Sequence, residues 1–233
     1  MAACGLSDVR LPSGEEQLVV QGVLNTQAAE QVLWIERTTP AGEVIEFGLR
    51  PLLEPPSRVE VRAEGGDVFT FLADTADPAR FAATFTPVHG RRYDLLVEAE
   101  GVVLRATTVV PPGITIVAPA ADTVSHPRDA DFPVAWASGT SRHVAVYVTR
   151  DTIDVSRYVF PEWVRDDTTA VMRSFFFSPS MMHLVWVVAA DSVTARLYAA
   201  PVDDGPRFHE GNVAGGAGLF GAITTDRVLV RVP

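Results

Sequence analysis

Short runs that alternate apolar and polar residues, each closed by turn-forming residues, dominate this 233-residue chain and restrict it to strands. Side chains along a strand point alternately to its two faces, so a half-buried strand reads with a period of two. Arg58-Val59-Glu60-Val61-Arg62-Ala63 has that period. Gly65-Gly66-Asp67 then turns the chain into Val68-Phe69-Thr70-Phe71-Leu72, a hairpin by its turn chemistry. Further strands are predicted over Leu18–Leu24, Val32–Ile35, Phe81–Phe85, Tyr93–Ala99 and Val102–Val110, with Glu100-Gly101 reversing the last two. About seven short strands with turns every 8–12 residues or so is the pattern of an antiparallel sandwich.

Pro111-Pro112-Gly113 closes this block, because proline cannot donate to a ladder and glycine loosens the joint. A second block opens at Ile114–Pro119. It continues through Phe132–Trp136, with Trp136 expected in the core, and through His143–Thr149. Val171–Phe177 and His183–Ala189 read as a strand pair joined at Ser178-Pro179-Ser180. Ser192–Ala200 reads either as an extended strand or, the reading preferred, as a short helix with Ser192 as its N-cap, since Ala195, Leu197, Ala199 and Ala200 favour helix. Arg227–Val232 is a final strand. The expectation is an all-β chain of two tandem antiparallel β-sandwiches. An immunoglobulin-like or transthyretin-like one over 17–113 is followed by a fibronectin-type-III-like one over 114–233, with 1–16 as a tether.

The charge balance narrows the partners. Nineteen basic residues, all arginine, stand against 29 acidic ones, a net charge of −10. Such a chain is repelled by phosphate backbones and has no basic stripe to offset this, which argues against nucleic acid. The single cysteine, Cys4, excludes an internal disulfide framework and a multi-cysteine zinc site. Its setting, Met1-Ala2-Ala3-Cys4-Gly5, has the small residues that precede a lipidated cysteine in bacterial lipoproteins, and the polar stretch after it suits a tether. Cys4 is therefore the expected lipidation site. No run of 18 apolar residues is present in the sequence.

No motif for catalysis stands out. Gly216-Ala217-Gly218-Leu219-Phe220-Gly221 satisfies G-x-G-x-x-G, yet only twelve residues follow it, too few for a dinucleotide fold. A glycine-rich loop or bulge is the better reading. The histidines at 89, 126, 143, 183 and 209 lack metal-ligand spacing, and a composite site from His126, His143 and Asp129 or Asp131 is the weak exception. The acidic pairs Glu15-Glu16, Asp166-Asp167 and Asp203-Asp204 read as solvated loops. Trp34, Trp136 and Trp186 lie in apolar runs and are expected in the core. Trp163, in an irregular stretch, is the candidate for an exposed ligand contact to a sugar ring or a protein. No catalytic residue, metal ligand or cofactor is expected.

Cys4, Leu18–Leu24, Gly90-x-x-Tyr93-x-Leu95, Ala106–Pro111 and Gly211–Ala222 occur in this order, and the last is the most specific. Together they resemble an uncharacterised family of bacterial envelope lipoproteins, domain of unknown function 4249. Phe81 stands where tyrosine is commoner in that family. The resemblance implies a non-catalytic accessory protein, held at the outer membrane by a lipid anchor. It also implies an outer-membrane receptor or another envelope protein as partner.

Overall fold

The computed structural model describes residues 16–38, 52, 54–139, 143–149, 163–165, 168–198 and 211–233. The first eight strands are β1 (Leu18–Asn25), β2 (Glu30–Arg37), β3 (Arg58–Ala63), β4 (Val68–Thr70), β5 (Leu72–Ala73), β6 (Arg80–Thr84), β7 (Arg92–Ala99) and β8 (Val102–Val109). They are followed by β9 (Ile114–Ala118), β10 (Thr123–Ser125), β11 (Phe132–Ser138), β12 (His143–Thr149), β13 (Trp163–Arg165), β14 (Thr169–Met172) and β15 (Met182–Ala190). The helix α1 (Ser192–Tyr198) and the long β16 (Ala217–Arg231) complete the order.

Among the described residues three sheets result. One runs β13-β12-β15-β16-β1-β2-β6-β5, with β10 beside β16; a second runs β4-β3-β7-β8 and a third β14-β11-β9. The first core lies between the four-stranded sheet and the β1-β2-β6 part of the long sheet. Tyr93, Leu95 and Val97 of β7 meet Leu33 and Ile35 of β2 there. The second core lies between the three-stranded sheet and β12-β15-β16, around Phe132, Val134, Trp136, Val146, Val185 and Val230. A third cluster, with Tyr147, Trp186 and Ala195 of α1, covers the other face of the long sheet.

Local chemistry explains the joints of the first sandwich. Glu100 and Gly101 both have positive φ (50° and 76°), the two-residue turn that matches strand twist, so β7 returns directly as β8. Tyr93 Oη accepts the Val88 amide at 2.9 Å, closing a tyrosine corner of the kind found in Greek-key sandwiches.

Several sequence expectations change. Val68–Leu72 is not one strand: β4 pairs with β3 and β5 with β6, in different sheets. The chain crosses at the buried Phe71, whose amide donates to Val59 O at 2.9 Å. β14 and β15 do not pair with each other either, because β14 joins β11 while β15 joins β12 and β16. The final strand begins at Ala217, ten residues before the predicted start, and takes in most of the glycine motif.

The two sandwiches are also not simply consecutive. Val19–Asn25 pairs in parallel with Ala217–Ile223, and Met182–Ala190 pairs antiparallel with Ile223–Arg231. β16 thus gives its first half to the first sandwich and its second half to the other, handing over at Ile223. Val213, Phe220 and Ala222, from the block assigned to the second sandwich, sit in the first core. Period-two patterning reports which face of a strand is buried but not its partner, so sequence order stood in for pairing.

Candidate functional site

The seam between the sandwiches is built by the glycine-rich segment. Gly218 has φ +114°, a conformation open mainly to glycine, and a Cβ there would overlap the Val20 carbonyl oxygen. A Cβ on Gly221 would overlap Thr194 Oγ1 on α1. The missing side chains let β16 approach β1 and α1 closely. Asn212 clamps the same place: Oδ1 accepts the Phe220 amide at 2.9 Å, while Nδ2 donates to Phe220 O at 2.8 Å and Thr107 O at 2.9 Å. Beside it, Ala214 and Arg105 exchange backbone hydrogen bonds of 2.8 and 3.0 Å.

Next to this seam is an open cleft of ≈ 570 Å³, lined by Gly90 and Thr107–Pro112 on one side and by His143 and Ala190–Val193 on the other. Its volume falls in the range of about 300–1,000 Å³ usual for ligand sites. Asp191 organises the floor. Thr108 Oγ1 donates to Asp191 Oδ2 at 2.5 Å, and the Thr194 amide donates to Oδ1 at 2.7 Å. The Asp191 amide donates to Ala222 O at 3.0 Å. One residue therefore joins β8 and α1 through its side chain and β16 through its amide, and it is Asp191, not the predicted Ser192, that caps the helix. The Pro-Pro-Gly joint is tied rather than loose. Pro111 is buried, its carbonyl accepts Thr224 Oγ1 at 3.1 Å, and His89 Nδ1 lies 3.1 Å from the same oxygen.

Both Asp191 oxygens are thus engaged in holding the frame. The cleft offers shape, hydroxyls, main-chain groups and the apolar surfaces of Val109, Pro111, Pro112 and Val193. Shifted carboxyls lie elsewhere: the hydrogen bond from Arg58 at 2.7 Å holds Glu60 below its ordinary range, and burial raises Glu36, with Asp77 adding to it.

The sequence candidates are scattered. Cys4 lies outside the described residues, as do Glu15, Asp166, Asp167, Asp203, Asp204 and His209. Trp163 opens β13 and pairs with Ala145 of β12. Trp136 and Trp186 are buried, but Trp34 is only half-buried, because its neighbours Leu33 and Ile35 take the inward face of β2. The composite metal site does not assemble. His126 donates its amide to Arg231 O beside Met182, while His143 adjoins Val144, the partner of Ala189. Those positions are seven residues apart on β15, about 23 Å. Asp131 is meanwhile taken by the Ser174 amide and by Arg173, both at 2.9 Å. Among the described residues no group of three or more His, Cys, Asp or Glu side chains is placed to hold a metal ion. No described helix is long and apolar enough to cross a membrane. Sequence reasoning missed Asp191, Thr108, Asn212 and Thr224. Only Asp191 carried a local signal, a capping residue directly before helix formers.

These features define a class of protein: an all-β chain of paired sandwich cores sharing one strand, with a cleft at the junction. The chain belongs to the family described as Domain of unknown function (DUF4249), whose model matches residues 7–178. That match ends before the Gly211–Ala222 segment on which the resemblance leaned most. Solved structures it is similar to include titin A168169, at 12% identity, covering 94% of this chain and 98% of that one, with a TM-score of 0.27. The titin Ig tandem domains A164–A165 match at 8% identity over 94% and 99%, with a TM-score of 0.25. The FN1–FN3 domains of chicken CNTN1 match at 13% identity over 95% and 68%, with a TM-score of 0.21. Likenesses this distant carry nothing about function to this chain. A search of the curated proteins finds no match.

Proposed function

We propose that this chain is a non-catalytic binding or scaffolding protein of the bacterial cell envelope, anchored by a lipid on Cys4 and presenting the seam cleft to a partner. The observation that carries the binding role is the cleft itself. It is held rigid by Asp191 and by the Thr224–Pro111 tie, and its carboxylate is committed to the frame rather than to proton transfer. The anchor is supported by Met1-Ala2-Ala3-Cys4-Gly5 and by a polar stretch that, fully extended, lets Leu18 stand up to roughly 50 Å from the lipid. An outer-membrane receptor or another envelope protein fits as partner. Metabolic labelling with an alkyne fatty acid, with the native gene including its upstream codons expressed in a bacterial host, tests the anchor. Label on the wild type and none on Cys4→Ser is expected. An unlabelled wild type, or upstream codons without an apolar run, overturns it.

A second reading places a glycan contact at Trp163, favoured by the position of β13 at the end of the long sheet, where one side has no partner strand among the described residues. Glycan-array binding that disappears in Trp163→Ala supports it, and an array without signal removes it.

A further inference from the structure

Among the described residues β8 ends the four-stranded sheet, and one of its edges lacks a neighbouring strand over most of its length. Arg105 exchanges both backbone hydrogen bonds with Ala214 on that open side. Backbone groups along a strand alternate in direction, so Thr107 and Val109 turn their N–H and C=O groups to the same side. The Thr107 carbonyl is taken by Asn212 Nδ2 at 2.9 Å. Among the described residues the Thr107 amide and both backbone groups of Val109 have no partner at this edge, and these residues line the cleft. Unpaired main-chain groups along a strand edge are a template for another strand, and proteins that leave such an edge open either blunt it or use it.

We propose that the Thr107–Val109 edge receives an extended peptide segment of a partner protein as an added strand. This rests on the binding reading of the cleft and names its ligand class. Three observations favour it. The chain already bonds its own Ala214 to this edge two residues away, so the edge is competent to pair with an extended segment. The edge lies within a cleft that Ala190–Val193 also line, so an added segment there has side-chain surface to meet besides the strand edge. Asp191, the one carboxylate among the described lining residues, already accepts two hydrogen bonds, so main-chain bonding and the apolar wall of Pro111, Pro112 and Val193 set the recognition. The fitting partner is an extended, uncharged segment with apolar residues at alternate positions.

Random seven-residue peptides displayed on phage and panned against the full chain supply the probe, and the best sequence is then synthesised. Hydrogen exchange should find the Thr107 and Val109 amides fast in the free chain and slowed by the peptide. Val109→Pro removes the free amide without touching the β7 ladder, at an edge position that tolerates proline. It should weaken binding at least tenfold with an unchanged melting temperature, whereas Val109→Ala, which keeps the amide, should retain most of the affinity. Either amide already protected in the free chain overturns the proposal, as does a dimer that Val109→Pro dissolves, or a library that yields no peptide. A peptide that competes at the cleft yet binds Val109→Pro unchanged overturns strand addition while leaving the binding role standing.

Discussion

The two halves of β16 solve the same packing task by opposite means. Residues 218–225 are buried without interruption, whereas from Asp226 onward buried and more exposed positions alternate. The first half runs parallel to β1 and is fitted by what it lacks, since side chains at Gly218 and Gly221 would strike Val20 and α1. The second half runs antiparallel to β15 over nine paired positions and is fitted by what it carries, with Val228 and Val230 in the second core. One strand belongs to two cores because glycine lets it be sandwiched on both faces at one end and β-branched residues build an ordinary ladder at the other. The lesson is that the sandwiches are joined by a shared structural element rather than by a linker alone.

The comparison breaks most severely at Gly218. Gly218→Val forces a β-branched residue to φ +114° against the Val20 carbonyl oxygen. Backbone strain of about 1–3 kcal/mol and overpacking of about 1–3 kcal/mol approach the whole stability of a marginal domain, so loss of folded protein is expected by circular dichroism. Truncations in each half come next. Phe220→Ala, at a fully buried site in the first core, should cost about 3–5 kcal/mol in urea unfolding, and Val230→Ala in the second core about 2 kcal/mol. Both should move one common transition, and two separable transitions would show the halves to be independent.

Two substitutions at the seam sharpen the picture. Asn212→Ala deletes three hydrogen bonds and leaves the Phe220 amide without its side-chain acceptor, at about 2 kcal/mol. Asp191→Ala removes the α1 cap and the Thr108 bond, at about 1–2 kcal/mol, and should raise exchange at the Thr194 and Ala195 amides. The smallest effect lies on β2, beside β1. Burial raises the pKa of Glu36, with Asp77 adding to the shift, so its ionised form is disfavoured by folding. That penalty is absent below the ordinary carboxyl range, where both states are protonated, and grows as pH rises through it. Glu36→Gln should raise the melting temperature slightly at pH 7 and leave it unchanged near pH 3.

The strands were legible where one face is buried and the other is not. Val59, Val61 and Ala63 alternate with Arg58, Glu60 and Arg62, and that contrast is written in the residue types. It vanishes in the first half of β16, where both faces are covered and Gly218 and Gly221 carry no side chain, so that segment read as a loop. Pairing was legible only across the tight turns, β3 with β4 and β7 with β8, and not for the shared strand: Val20 and Gly218 lie almost at opposite ends of the sequence, and neither carries a mark of the other. The Asp191 cap was misassigned to Ser192 because both residue types cap helices. What decides between them is the position of α1 against β8, where Thr108 meets the carboxylate. Trp34 was misplaced because its apolar neighbours masked the alternation that puts Leu33 and Ile35 inward.

Native-state hydrogen exchange on the Val20 and Val187 amides, one in each sandwich, tests the shared-strand account most directly. Both positions are fully buried, and Val187 pairs with Asp226 in the second half of β16. The account expects the two amides to open with the same free energy, and a destabilising change confined to the first half, Phe220→Ala, to lower both equally. Val187 keeping its full protection while Val20 loses it would contradict the account and make the two sandwiches independent units.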